Sequence, residues 1–90
     1  QVPESFTLYQ NYPNPFNPST VINYSVAQQT QVKLVVFNGI GEEVTTLVNE
    51  IKQPGNYSIS FDAGSISSGV YYYKLVAGDF VSIKKMIFLK

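Results

Sequence analysis

The sequence predicts an all-β fold, an antiparallel β-sandwich of about seven strands. Short runs alternate apolar with polar residues, Gly, Pro and Asn recur roughly every ten residues, and no stretch has helical periodicity. With 90 residues, the chain has room for one hydrophobic core. We therefore predict one domain over residues 1–90, an Ig-like or fibronectin-like sandwich.

Seven segments carry the strand pattern. Strands are predicted at residues 6–9, 20–26, 31–38, 43–48, 56–62, 70–77 and 80–89. Because successive side chains of a strand point to opposite faces, alternate residues form the predicted core. These are Ile22, Tyr24, Val26, Val32, Leu34, Val36, Tyr57, Ile59, Phe61, Tyr71, Tyr73 and Leu75.

Turn residues separate these strands. Gly39 and Gly41 follow the third strand in a turn where glycine can adopt positive φ. Residues 50–55, with their Pro-Gly pair, are predicted as a loop, and the Gly-Asp pair at 78–79 predicts a tight hairpin.

The last two strands carry two further signals. Residues 63–69 are small and polar and are expected to cross between the sheets, which makes Tyr71 the candidate for a tyrosine corner. In such a corner the tyrosine hydroxyl donates back to loop backbone. The adjacent Lys84 and Lys85 would point to opposite faces, which predicts a bulge or an edge position for the last strand.

The segment at residues 12–20 holds three of the five prolines. Proline fixes its own φ near −65° and moves the preceding residue away from the α region. The segment is therefore predicted to be an extended, rigid cap on one end of the core, with its two aromatic residues as buried anchors. The predicted structural motif comprises Tyr12, Pro13, Asn14, Pro15, Phe16, Asn17 and Pro18, together with Gly41 and Tyr71.

Composition argues against several classes of function. The chain has no His and no Cys, so the commonest general base and the usual soft metal ligands are missing. It also has no Arg, and its six Lys balance six acids, which argues against a nucleic-acid partner. No apolar run approaches the roughly 20 residues of a membrane span. We expect no enzyme activity, no cofactor, no metal and no transmembrane segment.

The remaining candidate sites have simpler interpretations. Glu42 and Glu43 are neighbours on a strand and would diverge, so they make a poor acid–base pair. A weak calcium site from Asp62 and Asp79 is conceivable, but turn capping explains both residues better. Tyr72 on the outer face could stack on a sugar or dock a partner, although a cross-strand aromatic cluster is the favoured interpretation.

Four blocks of the chain, taken in order, resemble a known family. They are similar to the type IX secretion system C-terminal sorting domain, type A. The four blocks are the proline motif at 12–20, the strand and turn at 32–44, the Ser-Gly-Val-Tyr block at 68–75 and the lysine block at 84–90. This family is also called the Por secretion system sorting domain. The Ig-like domain of the flagellar hook-capping protein is related, but the proline motif and lysine ending favour the sorting family.

The resemblance implies a role in protein secretion. Such domains sit at the C-terminus of exported proteins of Bacteroidota-like bacteria, are recognised by an outer-membrane translocon and are usually removed by a cell-surface sortase. It follows that the chain is expected to be the C-terminal fragment of a secreted precursor with an N-terminal cargo domain. The two last strands, opposite the proline motif, are expected to present the signal. Its residues would be Gly69, Val70, Tyr71, Tyr73, Lys84, Lys85, Met86 and Lys90.

Two other functions remain open from the residues. A retained structural or adhesive module would use exposed sheet edges to contact its neighbours. A carbohydrate-binding module would use Tyr72 and Phe37 on a flat face. Neither requires catalytic residues, so composition does not separate them from a secretion signal.

Overall fold

The computed structural model describes residues 2–90 and confirms the all-β prediction. Each strand pairs only with antiparallel neighbours. The described residues contain no helix with the length and hydrophobicity needed to cross a membrane. The strands are β1 (Thr7–Leu8), β2 (Ser19–Val26), β3 (Thr30–Asn38), β4 (Glu43–Lys52), β5 (Gly55–Asp62), β6 (Gly69–Ala77) and β7 (Phe80–Phe88).

Two sheets form the layers of a sandwich. The first sheet has three strands in the order β1-β2-β5, and the second has four in the order β4-β3-β6-β7. Two packed sheets of three and four antiparallel strands make up the β-sandwich that the sequence predicted. The edges at β1 and β7 lie on one side of the sandwich, which we call the closed gap, and those at β4 and β5 lie on the other, the open gap.

The core forms as the alternation predicted. In β2, Ile22 and Tyr24 are buried while the intervening Asn23 is exposed, and β3 buries Val32, Leu34 and Val36 completely. The side chains that face inward from both sheets form one hydrophobic cluster. Removing these apolar surfaces from water supplies the main driving force for folding.

The largest departures from the predicted bounds concern β4, the loop after it and the first strand. The strand expected to end at Val48 continues to Lys52, and β5 begins at Gly55, so the loop expected at 50–55 shrinks to residues 53–54. The first strand covers only Thr7–Leu8. The alternation of apolar and polar residues underestimates the length of β4. This strand lies at the edge of its sheet, and residues 49–51 are exposed on both of its faces.

The last strand is an edge strand. The adjacent Lys84 and Lys85 predicted either a bulge or an edge position, and the edge position is confirmed. The strand pairs with β6 without any shift of register, so no bulge occurs there. The irregular pairing lies between β3 and β4, where the register shifts at Leu34/Val35 and again at Val36/Phe37.

Candidate functional site: the proline segment and the last two strands

The proline segment crosses the closed gap and joins the two sheets. At one end the backbone of Tyr12 exchanges two hydrogen bonds of 3.0 Å with Val21 of β2. At the other end the amide of Phe16 donates to the carbonyl of Ile87 at 3.0 Å, and the Leu89 amide donates to the carbonyl of Phe16 at 3.1 Å. The peptide bonds before Pro13, Pro15 and Pro18 are cis. The segment thus acts as a backbone strap between β2 and β7.

Phe16 is the aromatic anchor of this strap. Its ring is 2% exposed and stacks on Phe88 of β7, with the ring centroids 5.2 Å apart. Its other side meets Phe61 of β5 edge-on at 6.1 Å. Since β5 and β7 belong to different sheets, one side chain joins both layers.

Tyr12 is not an anchor, and the prediction that it is buried is wrong. Its side chain is 78% exposed, while its backbone pairs with β2. The two aromatic residues are four positions apart in a segment that belongs to no strand, so neither the strand period nor the helix period describes its path. The pattern therefore could not show which ring faces the core.

A buried polar cluster underlies the strap. The hydroxyl of Tyr73, which is fully buried, accepts from the Asn11 amide at 2.8 Å and donates to the carbonyl of Tyr9 at 2.8 Å. The side chain of Asn11 donates to the Thr20 hydroxyl at 3.0 Å and to the carbonyl of Pro13 at 3.1 Å. Burial raises the pKa of the Tyr73 hydroxyl to about 12, so it stays protonated and able to donate.

Two side chains from residues 10–18 bind the backbone of β7 directly. The amide of Gln10 donates to the carbonyl of Lys85 at 2.7 Å, and the Ile87 amide donates to the side chain of Asn14 at 2.9 Å. The expectation that the proline motif lies at the end of the sandwich opposite the last strands is therefore wrong. Sequence separation conceals the contact, because the partners of each bond are more than 70 positions apart.

The other two members of the predicted structural motif behave as expected. The hydroxyl of Tyr71 donates to the carbonyl of Ser67 at 2.7 Å, which confirms the tyrosine corner. Gly41 adopts a φ of +88° in the turn between β3 and β4, whereas Gly39 does not have positive φ. Substituting Gly41 would place a side chain in a left-handed conformation that favours glycine.

The predicted recognition residues divide into three groups by burial. Tyr71, Tyr73 and Met86 are buried, so in the folded domain their side chains hold β6 and β7 in place and do not reach a partner. Gly69 and Lys84 are half-buried. The exposed members are Val70, Lys85 and Lys90.

The residues considered for other chemistry have structural partners. The side chain of Asp62 accepts from the Gly64 amide at 2.9 Å, the turn-capping contact predicted for it. Glu42 accepts from the side chain of Asn38, and Glu43 from Thr46. Within residues 2–90, no three His, Cys, Asp or Glu side chains are grouped closely enough to hold a metal ion.

Sequence reasoning missed Gln10, Asn11 and Thr20, the polar residues that position the strap. Thr20 has one usable signal, because it shares the parity of Ile22 and Tyr24 and therefore faces inward. Gln10 and Asn11 lie outside any periodic run, so no pattern could identify them.

Comparison with known proteins gives one family. The model of the secretion system C-terminal sorting domain matches residues 10–89, nearly the whole chain. No curated protein and no solved structure matches the chain. The matched range begins at the first side chain that binds β7 and ends at the residue whose amide binds Phe16. The chain belongs to the family of secretion system C-terminal sorting domains, the signals of type IX secretion.

Proposed function

We propose that residues 1–90 form a single non-catalytic sorting domain that directs a cargo, attached at its N-terminus, through the type IX outer-membrane translocon. The family implies a cargo and a secretion system as partners, and a secreted or cell-surface protein as the product. In this proposal the chain is the C-terminal part of a larger precursor that passes through the periplasm and the outer membrane.

The contact between the first and last blocks of the family motif carries the proposal. Asn14 binds the backbone of β7 and the buried ring of Phe16 packs on Phe88, so the two blocks are held side by side, and Gln10 adds a contact just before the first block. A translocon that recognises both blocks together would recognise a folded domain. The buried Tyr71, Tyr73 and Met86 would then act as positioning residues for the exposed ones.

Exposed residues of β6 and β7 would make the direct contacts. Lys85 and Lys90 are exposed, Lys84 is half-buried on the other face of β7, and Val70 is an exposed apolar residue of β6. Lysine ammonium groups favour carboxylates as partners. We propose an acidic surface on the translocon as their counterpart.

Removal of the domain by a cell-surface sortase would follow export, with the cargo anchored at the surface or released. The chain has no His and no Cys, so the cleavage chemistry would come from the sortase. The sorting domain would contribute only an accessible junction with its cargo.

The test is secretion of a reporter. A periplasm-exported reporter fused to residues 1–90 should reach the cell surface in a host with a type IX system, and should stay in the periplasm when the translocon is disabled. Deleting the last strand would be uninformative, because Met86 and Phe88 belong to the core and the domain would unfold.

Charge variants avoid this problem. A triple variant should deliver several-fold less reporter to the cell surface; its substitutions are Lys84→Gln, Lys85→Gln and Lys90→Gln. The control Lys52→Gln, at the open gap, should deliver as much reporter as the unchanged domain. Circular dichroism should show that both proteins are folded. Surface delivery that does not need the domain would refute the sorting proposal, and full delivery of the triple variant would refute the role of the lysines.

A second candidate, a retained adhesive or carbohydrate-binding module, has one observation in its favour. A groove of about 370 Å³ on the outer face is lined by Phe37, Tyr72 and Ile83. Mass spectrometry of the mature surface protein separates the candidates, because peptides from residues 6–24 survive only if the domain is retained. Titration with soluble polysaccharides tests sugar binding.

A further inference from the structure

The outer faces of the two sheets differ in chemistry. On the three-stranded sheet the central outward residues are polar, and the hydroxyls of Ser25 and Ser58 donate across the strand pair to Asn56 and Asn23. On the four-stranded sheet, the outer face of β6 and β7 presents exposed apolar side chains, with Lys74 and Lys85 between them. The most exposed of these apolar side chains are Val70, Tyr72, Val81 and Ile83.

Part of the edge of β7 beside this surface has no backbone partner. Phe80 closes the two-residue hairpin with Ala77, so the amides and carbonyls of Val81, Ile83, Lys85 and Ile87 point away from β6. Gln10 occupies the carbonyl of Lys85, and the strap occupies both backbone groups of Ile87. Among residues 2–90, no hydrogen bond reaches the outward groups of Val81 and Ile83, which we call the free edge.

Protection of the free edge is incomplete: β1 contacts β7 across the closed gap and Phe6 stacks on Phe80 at 5.7 Å, but neither bonds to the backbone of Val81 or Ile83. Val81 and Ile83 are 57% and 58% exposed, while the outward lysine of the strand, Lys85, lies at the end that the strap already covers. Exposed apolar side chains next to unpaired backbone groups make a template for another strand.

The charge beside the free edge is positive. Lys33, Lys74 and Lys85 share the outer face of the four-stranded sheet, and the Lys74 ammonium lies 5.5 Å from the centroid of the Phe37 ring. Glu43 is the carboxylate of this face, on β4 at the far side of the sheet from β7. Asp79 lies in the hairpin beyond Phe80.

We propose that the free edge binds an extended segment of a partner protein, which adds as a fifth strand to the four-stranded sheet. The segment would place apolar side chains beside Val81 and Ile83 and a carboxylate beside Lys85. This inference rests on the proposed function for the biological role of the partner, and it adds the binding mode and the chemistry of the bound segment.

Charge complementarity favours such a segment over a second copy of this chain. Between Phe80 and Phe88, β7 contains two lysines and no acid. Two copies paired through this edge would bring their lysines to one sheet without a carboxylate to offset them. A peptide with an acidic residue among alternating apolar residues fits the surface better.

The test is an NMR titration of isotopically labelled residues 1–90 with the blocked heptapeptide TETITVT. Its glutamate, isoleucine and valine share one face and can lie beside Lys85, Ile83 and Val81. We expect the largest amide shifts at residues 81–85. The peptide TKTITVT should bind about tenfold more weakly, because its lysine would lie beside Lys85.

Variants of the chain sharpen the test. Ile83→Ser should weaken binding of TETITVT about tenfold. The matched control Val21→Ser, an exposed position on the other sheet, should leave affinity unchanged. A peptide N-methylated at its alternate amides on the pairing edge should not bind, because strand addition needs those donors.

Absence of shifts at millimolar TETITVT, shifts centred on β4 or β5, or equal affinity for TKTITVT would overturn the inference. The titration contains only the chain and a peptide, so its outcome is independent of reporter export. Peptide binding without export would refute the sorting proposal alone, and export without peptide binding would refute this inference alone.

Discussion

The two gaps of the sandwich are covered in different ways. The closed gap is crossed by the strap, whose backbone bonds to β2 and β7 and whose Phe16 ring touches both sheets. At the open gap the short link between β4 and β5 joins the two sheets, and side chains cover the space between these strands. There Tyr57 stacks on Tyr24 at 5.4 Å, and the Lys52 ammonium lies 4.9 Å from the Tyr57 ring centroid.

This difference separates two solutions to one physical problem. An apolar layer that reaches the edge of a sandwich must be shielded from water. Amphipathic side chains can do so while keeping a polar end in solvent, as Lys52 does with Glu50 at 2.7 Å. A strap orders more backbone, but its buried contacts stabilise much more than exposed charges do. We therefore expect changes at the closed gap to cost more.

The largest effect is expected for Phe16→Ala. Loss of the ring leaves a cavity between Phe61 and Phe88, and such substitutions destabilise by about 3–5 kcal/mol. Urea unfolding followed by circular dichroism measures the change in the free energy of unfolding. Tyr12→Ala in the same strap is the matched control and should change stability by less than about 0.5 kcal/mol. Equal effects of the two substitutions would refute the division between anchor and exposed ring.

The next effect is a pH dependence at the closed gap. The pKa of Tyr73 is about 12 in the folded chain and 10.0 for an ordinary tyrosine, so the unfolded chain loses this proton first as pH rises. The contribution is complete below pH 10 and is progressively lost as pH rises through about 12, by about 3 kcal/mol in all. Urea unfolding at several pH values measures the free energy of unfolding. The difference between the unchanged chain and Tyr73→Phe then gives the contribution of this hydroxyl. Parallel curves for the two proteins would contradict the assignment.

At neutral pH, Tyr73→Phe itself tests the polar cluster. The change removes the acceptor of the Asn11 amide and the donor to the carbonyl of Tyr9 while keeping the ring. Leaving buried polar groups unsatisfied costs about 1–3 kcal/mol. Amide hydrogen exchange at Asn11 should accelerate more than exchange in β3. A uniform change across the molecule would argue against a local role.

The smallest effect is expected at the open gap. Lys52→Gln removes an ion pair with Glu50 and the cation over Tyr57, both near solvent, so the loss should stay below about 1 kcal/mol. The loss should shrink further in 0.5 M salt. Denaturant unfolding at low and high salt measures it. A cost comparable to that of Phe16→Ala would mean that both gaps depend equally on their covering.

Much of the fold could be predicted from residues alone. Ile22 and Tyr24, or Val32 and Leu34, alternate with polar neighbours because strands have a period of two, and that period survives in the structure. The tyrosine corner of Tyr71 follows from a small polar loop before a core strand. The candidate site was only partly predictable. The prolines identified the strap, but no sequence pattern indicated the role of Asn11 or the exposure of Tyr12.

The all-β class, the inward-facing residues and the family could be inferred from the sequence. These depend on local periodicity and on blocks of residues in order, which a one-dimensional pattern preserves. Tertiary structure alone decided that residues 10–18 bind the last strand, that Tyr73 completes a polar cluster beneath them, and that Val81 and Ile83 stay unpaired. Such facts depend on which edges of two sheets face each other, and contacts over more than 70 positions leave no periodic trace.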